Sequence, residues 1–425
     1  MAWTNANNKA LQERARDVIP NGMYGHQSVS LLPDEYPQFF SRGRGCRLWD
    51  VDDNEYVDMM CGFGPNLLGY GFEPVEAAAL AQQAKGDALT GPSEVMVELA
   101  ETFVSMIDHA KWAMFCKNGT DATSIAVVVS RAQTGRRKIL YATGTYHGAA
   151  PWCTPRPAGI LPEDRAHIVY YQYNDLDSLE TAFRQCEGDV AAVIATPFVH
   201  EVFRDQVDPE QEFAVGARQL CDKHGALLIL DEVRAGFRLA RGSSWAKFDV
   251  QPDLSAWGKC FANGHPISAV LGSESARKGA SAMFTTGSFW FAATPMAAAI
   301  ETLRHIRESD YMEKMIDAGR RLRDGLQQQA ASHGFTLKQT GPVQMPQILF
   351  EDDPDFRFGY HWCAETLQRG AYLHPYHNMF VSSAHTLADM NDVLAATDEA
   401  FAAVRKNRDA IQPNAALMRV LPARK

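Results

Sequence analysis

The chain has 425 residues, 46% of them hydrophobic, and a formal net charge of −10 from 41 basic and 51 acidic side chains. That length permits two or three domains around a large core, and the interspersed charges leave no basic stripe of the kind nucleic acid requires. No run approaches the roughly 18 uninterrupted apolar residues of a membrane-spanning helix, so no membrane contact is expected.

The opening residues Met1-Ala-Trp-Thr-Asn-Ala-Asn-Asn-Lys9 lack a basic-then-apolar signal peptide. The 8 cysteines include no C-x-x-C pair, which suits free thiols in a reducing compartment and predicts a cytoplasmic protein. A helix is predicted over 8–18, then an irregular Gly/Pro/Tyr stretch and a short strand near 46–49. Between 51 and 310, apolar runs at 112–116, 138–142, 167–171, 191–195, 226–230, 254–257 and 269–271 alternate with helical patterns. Such alternation predicts a mainly parallel sheet wrapped by helices, an α/β fold. From 311 the pattern predicts a long helix over 311–333, strands near 347–350 and 379–382, and a closing helix over 387–406. The expected division is an N-terminal segment, 1–50, joining a small domain; a large domain, 51–310; and a smaller α+β C-terminal domain, 311–425. There is no internal repeat, low-complexity tract or long linker.

The most informative segment reads Ala226-Leu-Leu-Ile-Leu-Asp231-Glu-Val-Arg-Ala-Gly-Phe-Arg238, followed by Leu254-Ser-Ala-Trp-Gly-Lys259. Its aliphatic run suits a strand covered on both faces, and a carboxylate at the end of such a strand needs a reason to be there. An acid and an amine at the ends of two strands could grip a heteroaromatic cation from two sides. Pyridoxal phosphate is such a ligand: its pyridinium nitrogen seeks a carboxylate and its aldehyde a lysine. A strand-end Asp paired with Arg and a surface Lys would give the same letters. Glu232 could orient its neighbours or pair with Arg238.

Lys117-Asn-Gly-Thr-Asp-Ala-Thr123 reads as a strand, a tight turn and a helix start. Gly119 permits close backbone approach and Thr120 offers a hydroxyl beside free N–H groups, the parts of a phosphate cup, although a plain N-cap would use the same residues. In Thr143-Gly-Thr-Tyr-His-Gly148, Tyr146 could stack on a flat ring or cap a core edge. Gly62-Phe-Gly-Pro-Asn-Leu-Leu-Gly69 is not a dinucleotide or nucleotide loop. His374-Pro-Tyr-His377 and His385 lack the Cys, Asp or Glu spacing that would complete a metal site, so polar lining of a substrate pocket is one reading and ordinary surface the other.

Taken in order, these segments, with Gly264-His-Pro-Ile and Thr286-Gly-Ser-Phe-Trp290, resemble the class III aminotransferases, nearest to glutamate-1-semialdehyde aminomutase and its relatives. The resemblance runs from about Pro20 to the last helix. It implies fold type I of the pyridoxal-phosphate enzymes, with the large domain binding the cofactor. It also implies Lys259 as the Schiff-base lysine, Asp231 as the pyridinium partner, and Val233 and Tyr146 on the two ring faces. Gly119 and Thr120 would bind the phosphate, joined by Ser288, or Thr286 in its place, from the neighbouring subunit of a homodimer. Lys259 and Asp231 would be the catalytic residues, and small-molecule amines and carbonyl compounds the substrates. An intramolecular aminomutase is the alternative, and a non-catalytic relative a third reading.

Two departures bear on the substrate. Aminomutases of tetrapyrrole synthesis carry an Arg after their N-terminal Pro-Gly-Gly, whereas Pro20-Asn-Gly-Met-Tyr-Gly-His-Gln-Ser-Val-Ser30 has none. Their late acidic segment corresponds here to Leu373-His-Pro-Tyr-His-Asn-Met-Phe380, without an acid. The Asn21–His26 loop is expected to cover the site beside His374–His377. Arg234 and Arg238 are candidate carboxylate clamps, though the resemblance gives their motif a structural role. The expected substrate depends less on carboxylates than a dicarboxylate semialdehyde does: a cyclic, amino-sugar-like or β-amino compound.

Overall fold

A computed structural model describes residues 3–421. Residues 1–2 and 422–425, the outer ends of the expected first and last segments, lie outside the described residues. The strands in chain order are β1 (Phe40–Arg44), β2 (Arg47–Asp50), β3 (Glu55–Asp58), β4 (Trp112–Cys116), β5 (Lys138–Ala142), β6 (Ile168–Tyr171) and β7 (Val190–Ala195). They continue with β8 (Leu227–Asp231), β9 (Leu254–Trp257), β10 (Ser268–Gly272), β11 (Leu337–Thr340), β12 (Gln347–Phe350) and β13 (Ala371–Tyr372).

Seven of them form one sheet in the order β4-β10-β9-β8-β7-β5-β6. β10 runs antiparallel to both its neighbours, β4 and β9; β5 to β9 pair in parallel. The aliphatic runs are continuous because both faces are covered, and alternate residues serve opposite faces. Ile139, Ala192, Ile194 and Ile229 pack with Ile125 and Val129 of the helix Gly119–Thr134. Leu140, Val193, Leu228 and Leu230 pack instead with Phe183 of Leu176–Gln185 and with Phe213 and Ala217 of Gln211–His224.

A second sheet, β1-β2-β3-β13, joins the early chain to the late chain, with β13 parallel to β3; β11 and β12 form a hairpin. The helices Tyr311–Ser332, Arg357–Leu367 and Leu387–Lys406 bury Leu322, Leu326, Trp362, Val393 and Phe401 in one cluster.

The predicted strand at 379–382 is absent. Met379 N donates to Pro346 O (2.8 Å), Phe380 N to Met59 O (2.7 Å) and Val381 N to Gln344 O (2.9 Å). The segment therefore alternates between two neighbours and forms a ladder with neither. Its apolar residues are buried because it threads between them. Arg136 Nη1 donates to the carbonyls of Val190, His224 and Gly225.

Candidate active site

Strand β8 ends on Asp231, which is buried. Its Oδ2 lies 2.6 Å from Nδ1 of His147, and its Oδ1 accepts from Val233 N at 3.0 Å. The partner is an imidazole, not an Arg. His147 arrives on the loop after β5, where its carbonyl accepts from Thr123 Oγ1 (2.7 Å) and its Nε2 lies 3.2 Å from Thr145 Oγ1. Glu232 does not pair with Arg238. It accepts from Ser244 N and from Ser243 and Ser244 Oγ, while Arg238 donates to the carbonyls of Val381 (2.6 Å) and Gly64 (2.8 Å). Arg238 is thus a structural tie, and burial lifts the Glu232 carboxyl to about 7.

Lys259 follows β9, the strand that pairs with β8. Its backbone sits at φ +50°, the left-handed region that a non-glycine residue occupies only when its surroundings enforce it. Its Nζ donates to Phe63 O at 2.7 Å. Burial, with the Arg234 guanidinium second, lowers its pKa to about 7.

Asn118 caps the helix Gly119–Thr134, accepting from Asp121 N at 3.0 Å, and the first-turn N–H groups have no intrahelical partner. A Cβ at Gly119 would stand 2.6 Å from Val233 Cγ1, and one at Gly148 2.6 Å from Thr120 Oγ1. Glycine at both positions lets the helix start, Val233 two residues beyond Asp231 and the Tyr146-His147 loop close on one another. Thr120 Oγ1 accepts from Ala149 N at 3.1 Å. Tyr146 is about half exposed, at 47%. Thr286 and Ser288 are exposed, and no hydrogen bond among the described residues ties either of them to this cluster.

Beside Lys259 stands a wall that the sequence disclosed only in fragments. Phe63 packs edge-on against His26 (4.7 Å) and His377 (5.4 Å), and His377 lies 4.8 Å from His200. The expected approach of the 21–26 loop to His374–His377 is therefore made through Phe63. Burial lowers the pKa of all four histidines, that of His374 to about 3, so they are neutral near pH 7. Arg234 donates from Nη1 to Asn378 Oδ1 (2.7 Å) and lies over Phe380 at 5.9 Å. Among the described residues, no group of three or more His, Cys, Asp or Glu is placed to hold a metal ion. His385 belongs elsewhere, against Ser382 and Asp58 O.

His147 carries the faintest sequence signal of the residues gathered here. It lay inside the Tyr146-His147-Gly148 stretch, and its signal was a histidine in a glycine-flanked loop directly after a buried strand. The donor set fits pyridoxal phosphate: a buried carboxylate, an amine at the end of the adjacent strand, and a glycine-opened helix start for an anion. With that group bound, the site gains an electron sink for charge developing on a substrate carbon.

The sequence profile of the family "Aminotransferase class-III" matches residues 32–403. The chain is 60% identical over 415 residues to an aminopentol aminotransferase of Sphingopyxis macrogoltabida, covering 98% of each chain. It is 31% identical to a glutamate-1-semialdehyde 2,1-aminomutase of Desulfitobacterium hafniense, covering 93% of this chain and 97% of that one. Among solved structures, the pyridoxal-phosphate internal aldimine form of the FumI protein of Sphingopyxis sp. MTA144 superposes with a TM-score of 0.96 at 60% identity, over 97% of this chain and 100% of that one. The aminotransferase relationship is near and the aminomutase one distant. With the fold of type I pyridoxal-phosphate enzymes and this set of donors, the chain belongs to the class III aminotransferase family and is a pyridoxal-phosphate-dependent aminotransferase.

Proposed function

We propose that the enzyme takes the amino group from a hydroxylated primary amine and delivers it to a carbonyl acceptor, with Lys259 holding the cofactor. The observation that carries this reading is the placement of Lys259 and Asp231 at the ends of paired strands β9 and β8, around the Val233–Gly119 contact. Asp231 holds the ring nitrogen and is steadied by His147. Val233 and Tyr146 flank the ring, and Gly119 and Thr120 take the phosphate. Lys259, with a pKa near 7, serves as proton acceptor and donor at the reacting carbon once released.

The neutral histidines of the wall accept and donate single hydrogen bonds, which suits hydroxyl groups better than carboxylates. A relative named for aminopentol, an amino polyol, supports the same choice. Exposure of Thr286 and Ser288 agrees with a homodimer in which Ser288 completes the phosphate site of the other subunit. The same reading keeps the divisions near residues 50 and 310. It also places the protein in the cytoplasm, which suits 8 buried cysteines with free thiols. No helix among the described residues is long and apolar enough to cross a membrane.

Borohydride reduction of the holoenzyme should leave a cofactor-sized mass on the peptide containing Lys259, and Lys259→Ala should abolish both the mass and turnover. A label on another lysine would remove the assignment. Turnover without any external carbonyl acceptor would favour the aminomutase alternative.

A further inference from the structure

Arg234 is a partly buried cation with no ion-pair partner among the described residues. Its one hydrogen bond goes from Nη1 to a neutral amide, Asn378 Oδ1, and among the described residues no carboxylate forms an ion pair with it. Neither Nε nor Nη2 carries a hydrogen bond among the described residues. Arg238, four residues on, shows the contrast, with both terminal nitrogens held by backbone carbonyls. Around Arg234 stand the Phe380 ring, the neutral imidazoles of His200 and His377, Tyr146, the Lys259 amine and, without an ion pair, the Asp231 carboxylate that the cofactor's ring nitrogen would engage. A desolvated guanidinium left in such company is costly unless a ligand supplies the counter-charge. Its free edge presents two N–H donors side by side, the fork that matches a carboxylate.

Transamination brings two substrates to one site. A neutral polyol amine offers no anion, whereas a 2-oxo acid does. On the reading of the Lys259 site given above, we propose that Arg234 is the specificity residue for the amino acceptor, receiving the carboxylate of a 2-oxo acid while Asn378 holds the guanidinium in place. Arg234 is tied to Asn378, the neighbouring His377 packs on Phe63 at 5.4 Å, and Phe63 O accepts from Lys259 Nζ at 2.7 Å, so the guanidinium belongs to the wall beside the reacting amine, which its charge also helps to depress. A carboxylate docked on Arg234 would therefore sit within the reach of Lys259, where the acceptor's carbonyl is needed.

The test compares pyruvate with pyruvamide, its neutral isostere, as acceptors for holoenzyme already charged with amino groups. In the wild-type enzyme, kcat/KM should favour pyruvate by about tenfold or more. Arg234→Met should cut that preference by about tenfold, bringing the two acceptors towards parity almost wholly on the pyruvate side, and Arg234→Lys should keep part of it. Lactate, which carries the carboxylate without the reactive carbonyl, should bind wild-type holoenzyme competitively with pyruvate and bind the Met variant far more weakly. A wild-type enzyme indifferent to the amide replacement, or a Met variant that loses both acceptors alike, would overturn the proposal. Absence of the Lys259 label would instead overturn the function proposed for the site.

Discussion

Replacing Lys259 with Met should stabilise the cofactor-free protein, and by an amount that depends on pH. The free amine is pulled from 10.5 to about 7 by burial and by Arg234. A difference of that size is roughly 5 kcal/mol against the cation, an upper bound because the side chain is only partly enclosed. The unfolded chain keeps its proton up to about pH 10.5, whereas the folded chain releases it near 7. Between those values the unfolded state binds more protons, so wild-type stability rises with pH across that window; below 7 both states are protonated and the full penalty stands. Methionine carries no proton and feels none of this. The advantage of Lys259→Met should fall from roughly 5 kcal/mol at pH 6 to roughly 2 kcal/mol at pH 9. Urea melts of both cofactor-free proteins, at one protomer concentration so that assembly does not intrude, read the difference directly. Amine-selective acylation of the wild type should titrate at Lys259 with a midpoint near 7. A stability gap that does not change with pH, or a labelling midpoint near 10, would refute the electrostatic account of this lysine.

Asp231→Asn should fold normally and lose a few kcal/mol of transition-state stabilisation, because an amide cannot hold the ring nitrogen as a cation; kcat/KM measured beside far-ultraviolet circular dichroism checks both halves, and a fully active variant would remove the role. Ser288→Ala should raise the cofactor's dissociation constant without changing the spectrum of the bound form, and sedimentation equilibrium should find a dimer. A stable monomer that retains cofactor would break the shared phosphate site.

How far the sequence was legible depended on the range of the interactions involved. The seven-stranded sheet could be read because burial on both faces leaves unbroken aliphatic runs, as in Leu227–Asp231. Asp231 and Lys259 stood out as charges at the ends of such runs. The strands β1, β3, β11 and β13 were not predicted: Phe40–Arg44 is mostly exposed and polar, and Ala371–Tyr372 is too short for any period to show. The segment 379–382 erred the other way, apolar enough for a strand but bonded alternately to two neighbours. Pairings over long separations were invisible. His147 meets Asp231 across 84 residues, and Arg234 meets Asn378 across 144. No spacing rule reaches so far, so Arg234 and Arg238 looked equivalent in the sequence although only one of them is spent on the backbone.

That inequality has a consequence for how one site can serve two substrates. Around the Lys259 amine, the charged side chains are Lys259, Arg234 and the backbone-bound Arg238 on one side of the balance and Asp231 on the other. The remaining polar groups, His26, His200, His374 and His377, have had their charge removed by burial. Such a site holds positive potential at two points and neutral hydrogen-bonding capacity elsewhere. On the proposed reading the phosphate of the cofactor would sit at the helix start near Gly119 and leave Arg234 unanswered. A substrate amine extended by hydroxyls can rest against the imidazoles without needing that guanidinium, so the amine and the acceptor need not compete for the same determinant. Buried cations and neutral polar groups also differ in their response to substitution. Removing one of four neutral imidazoles loses one hydrogen bond, about 1 kcal/mol, whereas removing the lone guanidinium removes all recognition of the anion. On the proposed reading, acceptor choice is therefore concentrated in one residue, while amine choice is spread over a wall.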